Sequence, residues 1–188
     1  MAGVQIAALA GALAVETLAP GDLVLTADGQ VLPVRWVGRS VMSGFRRDRD
    51  RILPIRIKAG ALEENVPARD LLVSPGHAVL IGGVLVHAGA LVNGTSIVQE
   101  RDMPLVFPYY HIELDTHALL LAEGAPAESY LDGAGEMDFD NGDERPESGA
   151  MEEMPYPRVR SSRQVPRAVK DHLAARAAAL SGPAAEAA

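Results

Sequence analysis

At 188 residues the chain is long enough for one domain with a full hydrophobic core plus further segments, and too short for two complete domains. A net charge of −8 argues against general attraction to phosphate backbones, so no nucleic-acid partner is expected; in the one basic stretch, 46–51, Asp48 and Asp50 interrupt the arginines. The absence of cysteine excludes disulfides, thiolate metal ligands and thiol nucleophiles within these residues, and no apolar run approaches the roughly 18 residues of a membrane span, so no membrane partner is expected.

Glycine and proline punctuate residues 1–131 at short intervals, separating runs rich in valine, isoleucine and leucine, which is an all-β pattern. The opening residues 1–14 are small and apolar but no basic residue precedes them, a poor match to a secretory signal, and a cytoplasmic location is favoured on that ground. Strands are expected at 4–9, 23–26 and 31–37, with turns at 19–22 and at Asp28-Gly29. Residues 40–51 read as a solvated loop or edge hairpin, 52–57 as a strand, and 58–65 as one helical turn. Residues 78–81 and 84–87 read as the arms of a hairpin around Gly82-Gly83, followed by a short turn or helix at 88–91 and a strand at 96–100. Residues 109–121 alternate cleanly, which predicts a strand with His111, Glu113, Asp115 and His117 on one wet face and Ile112 and Leu114 on the other. The expected core includes Trp36, Ile55, Ile57, Val79, Ile81, Ile112 and Leu114. Beyond 131 the composition changes: 132–160 reads as an acidic flexible linker and 161–188 as an Ala/Arg-rich helix and tail. Pro166 suits the first turn of that helix and Gly182 its stop; Val169, Leu173 and Leu180 form a thin apolar stripe, compatible with docking on the β-domain or a protein partner, or with fraying.

The most chemical tetrad is Ser74-Pro75-Gly76-His77. Proline and glycine at the centre favour a β-turn that brings the first and fourth residues within about 7 Å, so the Ser74 hydroxyl and His77 imidazole are expected to face one reaction centre. A Ser-His hydrolase would use Ser74 as nucleophile, His77 as base and Asp70 or Asp115 as the orienting acid, but no Gly-x-Ser-x-Gly pattern supports it. The row His111, Glu113, Asp115, His117 is no single metal site, because a rise of about 3.3 Å per residue separates its ends far beyond shared coordination at about 2 Å. No cofactor or metal is expected.

In order along the chain stand Ala-Val-Glu-Thr-Leu-Ala-Pro-Gly-Asp (14–22), Leu-Thr-Ala-Asp-Gly (25–29), Pro-Val-Arg-Trp-Val-Gly (33–38), Pro-Ile-Arg-Ile-Lys-Ala-Gly-Ala-Leu (54–62), Ala-Arg-Asp-Leu-Leu-Val-Ser-Pro-Gly-His (68–77), Leu-Val-Asn-Gly-Thr-Ser-Ile (91–97) and Tyr-Tyr-His-Ile-Glu-Leu-Asp-Thr-His (109–117), leading into 122–131. This series resembles a Hedgehog/intein (Hint) domain of the bacterial stand-alone type over residues 3–131. The resemblance implies an all-β horseshoe of short twisted strands with pseudo-two-fold symmetry. It also implies self-cleavage or acyl transfer, in which a cysteine at the head of the domain attacks the carbonyl before it; the substrate partner is then the chain's own N-terminal flanking peptide. Ser74 and His77 match the family's Thr-x-x-His motif, whose histidine assists the scissile amide, and His117 matches a later family histidine; Ser74 or Asp70 is expected within hydrogen-bonding range of the site. The family's opening pattern, set on Ile6, Gly11 and Glu16, places the cysteine just before Met1, and Val4 and Ala8 stand where the family usually has threonine. Two readings stay open: a start that trims a real cysteine, or a chain that has lost the reaction, which the missing threonines favour. The alternative to an autoprocessing domain is a non-catalytic β-scaffold for protein interaction.

Overall fold

The computed structural model describes residues 1–43, 49–132, 138–147, 149 and 151–182. Its strands are β1 (Gln5–Ala8), β2 (Gly11–Ala14), β3 (Leu23–Leu25), β4 (Val31–Pro33), β5 (Trp36–Ser43), β6 (Ile55–Ile57), β7 (Leu71–Val73), β8 (Ala78–Ile81), β9 (Val84–His87), β10 (Ile97–Gln99), β11 (Val106–Glu113), β12 (Leu119–Ala122), β13 (Ala125–Glu128) and β14 (Arg158–Val159). Two α-helices accompany them, the single turn α1 (Arg49–Ile52) and α2 (Arg167–Leu180). The fold is therefore all-β with a C-terminal helix. Among the described residues the largest sheet runs β14-β9-β8-β13-β12-β1-β3-β4, with β2 added to β1; β10-β6-β7 form a second sheet and β11-β5 a long ribbon.

Two hairpins at the centre of the large sheet turn on left-handed residue pairs, whose twist matches that of the strands they join. At Gly82-Gly83 both φ values are positive, 57° and 77°, and Ile81 pairs with Val84. At Glu123-Gly124 (50° and 80°) the first residue carries a side chain. Glu123 is held there because its carboxylate accepts the Gln5 N–H at 2.7 Å and pairs with Arg69, while its own N–H donates to the Gln5 carbonyl. Those contacts tie β1, and so the start of the chain, to the β12–β13 hairpin.

All seven residues expected in the core are buried. The wet face expected for 109–121 is not there. The strand β11 stops at Glu113, a bend follows at Asp115 and Thr116, and β12 is a separate strand. His111, Glu113 and His117 are buried, leaving only Asp115 of that row exposed. The cover comes from the segment expected to be a linker. Phe139 packs edge-on against Trp36 at 4.8 Å between ring centroids and against Tyr130 at 5.2 Å, and Arg145 reaches Glu113 at 2.5 Å. Gly38 makes room for this, since a Cβ there would lie 2.7 Å from Phe139 and 2.5 Å from Trp36. Asp140 and Asn141 accept the Val41 and Arg39 N–H groups of β5.

Residues 58–65 are likewise not helical. Gly60 (φ 70°) and Asn65 (φ 60°) take left-handed conformations that end a helix, and Leu62 N–H instead closes onto the Val66 carbonyl. The carbonyls this turn exposes receive α2: Arg176 Nε donates to Gly60 O at 3.0 Å, and His172 Nε2 lies 2.7 Å from Leu62 O. Val165, Val169 and Leu173 join the main core, whereas Leu180 stays exposed. Each of the buried side chains is worth about 1.5–3 kcal/mol. The thin stripe thus docks α2 on the β-domain.

Candidate functional site

Residues 74–77 form the expected turn, closed by the His77 N–H donating to the Ser74 carbonyl at 3.1 Å. The 3-10 turn Ala88–Leu91 braces it from behind: Gly89 N–H donates to Pro75 O and Ala88 N–H to His77 O, both at 2.9 Å. A Cβ on Gly89 would stand 3.2 Å from Pro75 O, so this approach uses the glycine. The half-buried His77 ring is thereby fixed at the mouth of β8.

Two adjoining spaces meet at that ring. An inner pocket is lined by Met1, Ser74, His77, Tyr109 and His111 among other residues. An outer cleft of about 340 Å³ shares Ser74, His77, His111 and Glu128 with it and adds His87, Tyr130 and Arg158. The start of the chain is held down by Glu16, whose carboxylate accepts the Gly3 N–H at 2.8 and 3.0 Å. Burial pulls the Met1 amino group down to about 6, with Glu16 opposing.

His111 lies on β11 with its ring centroid 6.2 Å from that of His77. It is buried, and among the described residues its Nε2 has no hydrogen-bond partner. Burial, reinforced by His77 and the amino terminus, lowers it to about 3, so the imidazole is neutral at pH 7. Burial also lowers His77 and His87, with Glu128 opposing in each case. Glu128 ends β13 and anchors the back of the cleft: Oε1 accepts the Ala78 N–H at 2.8 Å and Oε2 takes Arg158 at 2.7 Å. Burial favours its neutral form, but His117, Arg158 and His77 outweigh that and hold the carboxyl at about 2.

Of the residues singled out in the sequence, Ser74 and His77 line both spaces. His117 lines neither. Its Nδ1 accepts the Met154 N–H at 3.0 Å, so in the neutral ring Nε2 carries the proton; it faces Glu128 Oε2 at 3.6 Å, too long for a hydrogen bond. Asp70 lies elsewhere. Expected within hydrogen-bonding range of the site, it accepts the Ala59 N–H at 2.9 Å and pairs with Arg56 at 3.1 Å, pinning the 58–61 turn to β7. Sequence reasoning placed His111 in a solvated row and left out Glu128 and Arg158. The Tyr-Tyr-His run is a local cue for His111; nothing local marks Arg158, which arrives by the parallel pairing of β14 with β9. Among the described residues no group of three or more His, Asp or Glu is placed to hold a metal ion.

In sequence, a family model of the Hint domain matches residues 1–134. No curated protein matches. Among solved structures, the MchDnaB-1 intein is 16% identical with a TM-score of 0.47, the alignment covering 68% of this chain and 96% of that one. The Msm DnaB1 intein splicing domain, solved bound with zinc, is 15% identical with a TM-score of 0.43, covering 66% and 95%. The family match runs from the half-buried Met1 through the His77 turn and His111 to Glu128, taking in most of the chain and the heart of the cleft, and the chain belongs to the Hint domain family.

Proposed function

We propose that this Hint domain is a self-processing module that acts on the peptide bonded to its own N-terminal strand. The observation that carries this reading is that the half-buried Met1 lines a pocket together with Ser74, His77 and His111, all three of which also line the cleft. A peptide extending back from Met1 would enter that cleft. There a thiol at the head of the domain would attack the preceding carbonyl, and His77 would serve the leaving amide nitrogen, a role worth about 10² to 10⁴ in rate. Ser74 shapes the turn that carries His77. The 188 residues contain no cysteine, and no serine or threonine precedes Thr17, so the chain as written forms neither thioester nor ester at its start and does not cleave itself.

Intact-mass analysis of two fusions tests the proposal. A short peptide joined directly to Met1 should stay whole with or without hydroxylamine. The same peptide carrying a cysteine just ahead of Met1 should be cut at the junction when thiol is added. Scission of the first fusion would refute the inactive reading; no scission of the second would refute self-processing and favour a non-catalytic β-scaffold for a protein partner.

A further inference from the structure

We infer that Arg158 is a positioning residue of the processing site, acting on His77 through Glu128, and that the strap 153–159 which carries it is part of the site. The inference rests on the self-processing reading above and adds to it a residue from beyond the family match, which ends at 134. The strap is seated by β14, which pairs in parallel with β9, Arg158 opposite Leu85 and Val159 opposite Val86, while the Pro157 carbonyl accepts the Leu85 N–H at 2.9 Å. Successive strand residues point to opposite faces, so Val159 enters the main core and Arg158 the wall of the cleft. Met154 packs on the cluster of Ala78, Leu85 and Leu119 and fastens the other end.

The Arg158 guanidinium is forked between two carboxylates: Nη2 donates to Glu128 at 2.7 Å and Nε to Glu153 at 2.8 Å. With Oε2 of Glu128 so engaged, Oε1 accepts the Ala78 N–H at 2.8 Å, one residue beyond His77. Burial lowers His77; of the charged and titratable groups facing it, Glu128 on β13 raises it, the amino terminus ahead of β1, His87 on β9 and Arg158 on β14 lower it, and the His111 ring on β11 stands 6.2 Å away. A buried carboxylate without a counter-cation draws a proton onto the nearest imidazole. Arg158 supplies that cation, so Glu128 braces the His77 turn instead of charging its ring. His117, 3.6 Å from the same oxygen, brings no charge there while its Nδ1 accepts the Met154 N–H.

The test uses the full chain and has two arms. In the first, which needs no cleavage, ring ¹⁵N shifts of His77 are followed against pH in the chain as written. Arg158→Met should move the His77 midpoint up, Glu128→Gln should move it down, and Arg158→Lys, which keeps the charge, should hold it near its original place. Arg145→Met, which breaks the Glu113 pair away from the cleft, should leave it unmoved. In the second arm the chain carries a cysteine-containing extension ahead of Met1. There Arg158→Met should slow thiol-dependent cleavage by about 10²-fold, the effect of a misplacement of about 1 Å, and Arg158→Lys should recover part of the loss because it lacks the fork. A His77 midpoint that moves as expected, with no cleavage in any chain, would defeat the self-processing reading and leave the coupling of Arg158 to His77 standing. An unmoved midpoint in folded Arg158→Met, an equal movement in Arg145→Met, or cleavage at the unsubstituted rate in Arg158→Met would overturn the proposal. Should Arg158→Met not fold, Glu128→Gln decides, and an unchanged His77 midpoint there overturns it.

Discussion

Glu113 and Glu128 are two inward carboxylates on neighbouring parts of the fold, each neutralised by an arginine that follows residue 134. Glu113 is fully buried, with Arg145 on one oxygen and Arg35 at 3.7 Å from the other, and Arg145 itself lies against the Trp36 and Tyr130 rings. Glu128 has its arginine too, but it also borders the cleft, with His77 beside it and His117 behind. The first pair lies against aromatic rings and ties the 138–147 segment to β11. The second is partly wet and sets the field around His77. The difference teaches that counter-charge is common to both places, whereas an adjoining cavity with an unpartnered imidazole is what separates a candidate reaction centre from a clamp.

Acid should give the largest effect and divide the two histidine and carboxylate contributions. His111 is neutral when folded and protonated when unfolded between about 6.5 and about 3, so its contribution is lost as pH falls through that window, by up to ~5 kcal/mol. Glu128, depressed from 4.5 to about 2, contributes stability that is full above 4.5 and disappears toward 2, about 3 kcal/mol in all. Urea unfolding at stepped pH should show both limbs, His111→Gln flattening the upper and Glu128→Gln the lower; a stability independent of pH from 7 to 3 would contradict both.

Arg145→Met breaks the pair with Glu113 and leaves that carboxylate, among the described residues, with Arg35 at 3.7 Å, at a cost of about 3 kcal/mol in chemical denaturation. Arg158→Met should cost less, about 2 kcal/mol, because Glu128 keeps the Ala78 N–H and some cleft water. Equal losses for the two variants would erase the distinction drawn between clamp and site. Gly38→Ala should cost least, about 1–2 kcal/mol, by driving a methyl group into Trp36 and Phe139. Its sharper readout is proteolysis, where residues 138–147 should become cleavable while β5 and β11 remain protected.

The short glycine-bounded apolar runs by themselves determined an all-β chain, the hairpin at Gly82-Gly83, the Ser74 to His77 turn and the seven core residues, because turn geometry and two-residue periodicity are local properties. The series of motifs was enough to indicate a Hint domain. Only the tertiary structure decided which side of 109–113 meets solvent, since an alternating strand specifies two faces without saying what covers either. Here an acidic segment that reads as a linker brings Phe139, Arg145 and Arg158 across the sheet, and ion pairing with Glu113 and Glu128 offsets the composition that suggested disorder. Tertiary packing likewise put His111 beside His77, gave His117 the Met154 N–H and gave Asp70 the Ala59 N–H and Arg56. Those outcomes depend on contacts between residues far apart in the chain, which no window of the sequence contains.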